Sequence, residues 1–380
     1  MALPATRLLP EEPPQQLGVV PEAVPAPLYF VNGVADALLI GGGSILAFLW
    51  FRCVPGGVVA AQVAAWSGVL ARVCNWPHFA ATSCRLYQSR ANLRRYPVTA
   101  FGIPLVVLAA AIWSFADATR VAPAFGKLVA FWSTYHFAGQ SFGLSLIYAR
   151  RAGFQVGRWE RLGFSGFLFS IFLAFTAHEE TGSGTRSFLG LTHPRLGLPV
   201  WVAPLCLVAV TAFGLLLLAR VLRWCREERR LLPSIVLLPA ATHFVWYVLA
   251  AGVEGFGQLT PFFHSLQYMY VAWAVQLKER LDRTGFQPSA RFVTLETIRW
   301  WVMSYALALL LFQILPGYLS LLGGYDPDFA FSVVFAAVQV HHFFVDGVIW
   351  KLRSPGKRSP LLVNVDELLH APSAVGVRAA

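Results

Sequence analysis

Charged side chains are scarce in this chain, and the scarcity excludes a soluble globule. Of 380 residues only 13% are Asp, Glu, Lys or Arg, while 57% are hydrophobic. Acids are scarcer than bases, 19 against 30, and the resulting formal charge of +11 would point to nucleic acid in a water-soluble domain. No motif that reads DNA or RNA is present, and the bases lie in short loops between apolar runs, so nucleic acid is not expected as a partner. Cysteine is thin too. Cys53, Cys74, Cys84, Cys206 and Cys225 form no C-x-x-C pair and no regular spacing, which excludes a disulfide framework and a thiolate zinc site. They read as small packed side chains. A cleavable signal is also missing: residues 1–27 carry Pro10-Glu11-Glu12-Pro13-Pro14 and no apolar core, and read as a disordered leader.

What the chain has in abundance is apolar runs of about 20 residues, the length that crosses a bilayer. Ten candidate spans follow: 28–51, 57–83, 97–117, 124–149, 161–178, 198–220, 231–252, 258–277, 296–320 and 327–350. The expected architecture is an all-α, polytopic transmembrane helical bundle of about 10 helices over 28–352, with a cytoplasmic tail at 353–380. Basic residues test the count. They gather after every second span, at Arg85 to Arg95, Arg150 to Arg161, Arg220 to Arg230, Lys278 to Arg291 and Lys351 to Arg358, whereas the opposite loops hold only Arg52, Arg120, Lys127, Arg186 and Arg195. One missed or invented span would spoil this alternation, so both termini are expected in the cytoplasm of a bacterial-type inner membrane. No matched pair of broken helices marks the two halves as a transporter repeat.

Against this apolar background the histidines stand out. His136 lies 14 residues before Arg150, His264 lies 14 before Lys278, and His341 and His342 lie 10 and 9 before Lys351. At about 1.5 Å per residue all four sit roughly 13–21 Å from the cytoplasmic edge. His243 falls in the same layer, and His78, seven before Arg85, is expected nearer the cytoplasm. Ionisable groups at such depth are rare without a role. Helical spacing aligns Arg72, Asn75, His78 and Thr82; Ser133, His136 and Gln140; His243, Tyr247 and Glu254; Thr260, His264, Gln267 and Tyr268; and Gln339, His342 and Asp346. Five polar stripes facing inward would line one pocket.

Neutral imidazoles converging from several helices suit iron, copper or zinc, with nearby carboxylates or amides orienting the rings. His78, His136, His264, His341 and His342 are therefore candidate metal ligands. Tyr268 and Asp346 are candidate catalytic groups, and Asn75, Gln140, His243, Gln267 and Gln339 are candidates for holding the ligands. Asp346, one turn after His342, suits either a ligand or a partner that orients a ring. At this depth the reaction partner would be lipophilic, and membrane lipid surrounds the protein. Two other classes use the same residues: a proton-coupled transporter relaying through the histidines, Asp346 and Glu254, or a non-catalytic haem- or lipid-binding protein. His178, His193 and His370 fall outside the spans.

Four segments, taken in order, carry a resemblance: Asn75-Trp76-Pro77-His78-Phe79, Tyr135-His136-Phe137, Phe263-His264-Ser265-Leu266-Gln267-Tyr268, and Val340-His341-His342 through Asp346 to Arg353. Together they resemble the motifs of the Brp/Blh family of membrane carotenoid cleavage enzymes, of the beta-carotene 15,15'-dioxygenase type. The resemblance implies iron, with His78, His136, His264 and either His341 or His342 as its ligands, and oxygenase chemistry on an isoprenoid or other lipid. Three positions depart from the family pattern. Thr82 stands where an acid is usual, Gln140-Ser141 follow the His-Phe motif, and Tyr268 replaces the second histidine of a His-x3-His pair.

Overall fold

A computed structural model describes residues 27–54, 56–350, 361 and 363–370. The leader up to residue 26 and the basic stretch from Lys351 to Arg358 lie outside the described residues. The rest is helical apart from one hairpin. In chain order the elements are α1 Gly33–Cys53, α2 over 56–87, the short α3 Arg90–Arg95, α4 Val98–Ala116, α5 Val121–Arg151 and α6 Arg158–Glu179. The hairpin β1 Thr185–Phe188 and β2 Leu191–Pro194 follows, then α7 Val202–Glu228, α8 Leu238–Leu249, α9 Thr260–Thr284, α10 Ala290–Gly323, α11 Pro327–Ile349 and α12 Val365–His370.

Each of the ten spans read from the sequence coincides with a helix, and six of these (α1, α4, α6, α7, α10 and α11) are long and apolar enough to cross a membrane by length and composition. The protein is thus an apolar, membrane-like helical bundle. The helices carrying His78, His136 and His264 are not among the six, because an element enclosed by neighbours can present polar groups inward without meeting lipid. α8 is short: the turn after Leu249 ends in Gly255 at φ 79, a left-handed geometry that glycine adopts without steric penalty. That turn leaves Glu254 exposed, so the expected alignment of Glu254 with His243 does not hold.

Proline shapes three of the long helices in the same way. Wide π turns at Ala71–Asn75, Val98–Gly102 and Leu310–Ile314 each stand just before Pro77, Pro104 or Pro316. A proline has no N–H for the carbonyl four residues back, and the backbone relaxes by widening the preceding turn. In α1, Gly41 leaves helical geometry and lies so close to α8 that a Cβ there would sit 2.0 Å from Thr242 Oγ1. The β1–β2 hairpin pairs Arg186 with His193 and Ser187 with Thr192, and Leu191 lies against Gly126 of α5. The Ser332 hydroxyl donates to the Leu189 carbonyl, tying the hairpin to α11.

At the opposite end, residues 361–370 fold back onto the bundle. Arg151 donates to the carbonyls of Leu361 (2.6 Å), Val363 (2.8 Å) and Pro27 (3.1 Å), and its guanidinium stacks 3.9 Å from the Phe30 ring centre. Beside it the buried Asp36 carboxylate accepts from Phe30 N, Val31 N, Tyr148 Oη (2.6 Å) and Tyr270 Oη (2.5 Å). This network joins the first described residues, α5, α9 and the C-terminal segment. A buried carboxylate with four donors is satisfied and is read as structural.

Candidate metal centre

Three imidazoles and one carboxylate converge between α2, α5 and α11. Pro77 and the π turn before it set the Trp76–Tyr87 portion of α2 so that His78 is fully buried on the inward face. Its Nε2 lies 2.9 Å from His342 Nε2, which is 3.2 Å from His136 Nε2. Asp346, one turn beyond His342, places Oδ2 at 3.5 Å from His342 Nε2 and 3.6 Å from His136 Nε2. All four ligand atoms lie within 4.8 Å of one another.

Hydrogen bonding alone does not account for this geometry. Each neutral imidazole has one N–H and one lone pair, yet His342 Nε2 faces both of its neighbours, with rings inclined at 57° and 75°. Nδ1 of both His78 and His342 is buried without a partner. For metal–nitrogen bonds of about 2.05 Å, ligands at right-angle to tetrahedral separation stand roughly 2.9–3.4 Å apart, and the two close imidazole pairs, at 2.9 and 3.2 Å, fall in that range while the carboxylate stands slightly outside it at 3.5 and 3.6 Å. The donor set fits a divalent cation.

The other candidates take different places. His264 is buried against the group, its ring 5.2 Å from His78 and 5.1 Å from His136 and stacked on Phe137 at 3.8 Å. Its nitrogens have no partner and are not among the converging atoms; Asp346 occupies the fourth position instead. His341 points elsewhere, its Nε2 3.2 Å from Tyr87 Oη and its ring stacked on Tyr87, because one residue along a helix turns the side chain by about 100°. His78 is level with the others, not nearer the helix end as its distance from Arg85 suggested. Arg85 pairs with Glu279 at 2.7 Å and lies 4.1 Å from the Trp350 ring centre.

None of the five residues expected to hold the ligands bonds a ligating ring nitrogen. Gln140 donates to His264 O (3.0 Å) and Gln267 Oε1 (3.1 Å), and Gln267 donates to Ile40 O. Gln339 donates to Ser133 Oγ (2.9 Å), while Asn75 accepts from Ser265 Oγ (2.7 Å). They pin helices together around the centre. His243 is buried beside Tyr247, with both nitrogens unpartnered. Tyr268 packs 4.1 Å from the His78 ring and receives a 2.5 Å hydrogen bond from Thr82. Two of the three positions that depart from the resembled pattern, Thr82 and Tyr268, are therefore partners.

Two cavities meet at this point. One of about 880 Å³ runs from the hairpin side down to His136 and His264, and another of about 270 Å³ reaches His136, Tyr268 and Asp346 from the side of the termini. His136 and Phe343 form the wall they share. Arg72, expected on the inward stripe of α2 with Asn75 and His78, lines the larger cavity. No family model, curated protein or solved structure matches this chain.

Proposed function

We propose that this protein is an integral membrane metalloenzyme, an iron-dependent oxygenase acting on a lipophilic substrate, isoprenoid, carotenoid or other lipid. The observation that carries the reading is the convergence of His78, His136, His342 and Asp346 between two cavities. The motif resemblance to the Brp/Blh family supports iron over zinc or copper, and three nitrogens with one oxygen suit iron chemically. Bound iron would supply oxygen activation. His78, His136, His342 and Asp346 would hold it, and the aromatic walls at Phe137 and Phe343 exclude water. Tyr268, whose hydroxyl lies against Thr82, is the group placed to hold or hand on a proton beside the centre. The same reading takes ten spans with both termini in the cytoplasm of a bacterial-type inner membrane, following the charge alternation.

Two alternatives lose support. A haem supplies four ligands itself and needs a flat slot, whereas here four protein atoms crowd within 4.8 Å. A proton relay through Glu254 has no route, because that carboxylate is exposed in a turn beyond α8. Metal analysis of the purified full-length chain tests the proposal: about one iron per protein is expected. Absence of stoichiometric iron, copper and zinc would refute it.

A further inference from the structure

The larger cavity contains a cation that the proposed metal centre does not use. Arg72 stands on the inward stripe of α2 with Gly68 one turn before it and Asn75 three residues after, all lining the cavity. His78 is six residues further on, so Arg72 lies about 9 Å from the level of the metal ligands on the hairpin side. Its guanidinium faces the Trp76 ring at 5.7 Å, and among the described residues no carboxylate pairs with it.

Two of the three acids lining this cavity are already paired. Glu179 pairs with Arg186, and Glu180 accepts from Lys127 at 2.9 Å. Asp328 is exposed at the start of α11, 14 residues before His342 and so about 21 Å from its level. Both helices run in the same direction, which leaves the Asp328 backbone about 12 Å outward of that of Arg72, and no ion pair joins the two among the described residues. The Arg72 guanidinium is thus exposed to this cavity with no carboxylate partner among the described residues, which leaves it free to take an anion.

Space beside it is available. A Cβ built on Gly68, or on Gly257 across the cavity, would meet nothing within 4 Å. Between Arg72 and the metal ligands the wall becomes apolar and aromatic, with Trp76, Phe79 and Phe137. A polar point followed by an aromatic shaft fits an amphiphile, and a single guanidinium matches a singly charged, planar anion that accepts two parallel N–H bonds.

We propose that the larger cavity binds a long-chain carboxylic acid, its carboxylate on Arg72 and its apolar chain directed to the centre formed by His78, His136, His342 and Asp346. This rests on the reading of that centre as acting on a lipophilic molecule, and adds the chemistry of the molecule's polar end. A charge-assisted pair is worth roughly 1.5–3 kcal/mol, or about tenfold to a hundredfold in affinity.

Equilibrium binding of radiolabelled oleate and oleyl alcohol to the purified full-length protein at pH 9, where the acid is ionised, tests the proposal. The wild-type protein should favour oleate over the alcohol at least tenfold. Arg72→Gln should bring that ratio close to one while leaving alcohol affinity unchanged, and Arg72→Lys should keep part of the preference. Unchanged alcohol affinity in Arg72→Gln also shows that the cavity is folded. His342→Ala, measured in parallel, should lose metal and keep the oleate preference, so the metal reading and the carboxylate reading fail separately. Equal affinities for acid and alcohol in the wild-type protein, or a preference that survives Arg72→Gln, would overturn the assignment. So would displacement of oleate by acetate as effectively as by octanoate, since the site would then bind a small anion and not an amphiphile.

Discussion

Adjacent histidines on one helix make the most discriminating test of the centre, because the structure gives them opposite roles. His342 takes part in three of the four close approaches, at 2.9 Å to His78, 3.2 Å to His136 and 3.5 Å to Asp346. His341 faces away from them, with Tyr87 Oη at 3.2 Å and the Thr99 backbone beside it. Replacing His341 by alanine should therefore remove one half-buried hydrogen bond, about 1 kcal/mol of stability, and leave metal content unchanged. His342→Ala removes a ligand. Changing groups that merely orient ligands weakens metal binding about 10- to 100-fold, so loss of the ligand itself should exceed about a hundredfold, or about 2.8 kcal/mol. The Asp346 carboxylate would keep Trp350 and His136 but lose its His342 neighbour, and His342→Gln, which keeps a polar atom there, controls for that effect on the fold. The assay is metal per protein after purification, with thermal stability measured with and without chelator. For metal present at a hundred times its dissociation constant, chelation should remove about 2.7 kcal/mol from the wild-type protein and from His341→Ala, and nothing from His342→Ala. Equal metal loss in both variants, or loss in His341→Ala alone, would refute the assignment.

Asp346→Asn preserves shape and the 3.2 Å bond from Trp350 Nε1 but removes the only negative charge of the four-atom group, and metal analysis should show affinity reduced by more than about tenfold. Arg151→Met loses bonds to the carbonyls of Pro27, Leu361 and Val363, so residues 361–370 should become sensitive to protease, with stability lowered by roughly 2–4 kcal/mol in denaturant titration. Gly41→Ala drives a methyl group into the Thr242 hydroxyl and should cost about 1–3 kcal/mol of thermal stability, a loss that Thr242→Ala should ease.

Much of this arrangement is legible in the sequence, and the residues show why. Apolar runs of bilayer length reveal the helices because lipid demands them locally. The i, i+4 spacing of His342 and Asp346 already puts both on one face, since helical period is a local property too. Other features depend on partners remote in sequence. Whether Asp346 or His264 completes the group depends on how α9 packs against α2 and α5, and the orientation of His341 depends on Tyr87, 254 residues away. The docking of residues 361–370 rests on backbone carbonyls received by Arg151, which no side-chain pattern announces. Likewise, the contacts of Arg85 with Glu279 and Trp350 appear only once α9 and the end of α11 are brought beside it.

The sequence by itself determined the class, the helices and the set of residues from which the candidate metal centre is drawn, because hydropathy and helical period act over one or two turns. Only the tertiary structure decided which three histidines and which acid converge, that two cavities meet there, and that Arg72 stands in one of them without a carboxylate partner among the described residues. Those outcomes are set by the packing of helices far apart in the chain, and a coordination geometry exists only once the helices have met.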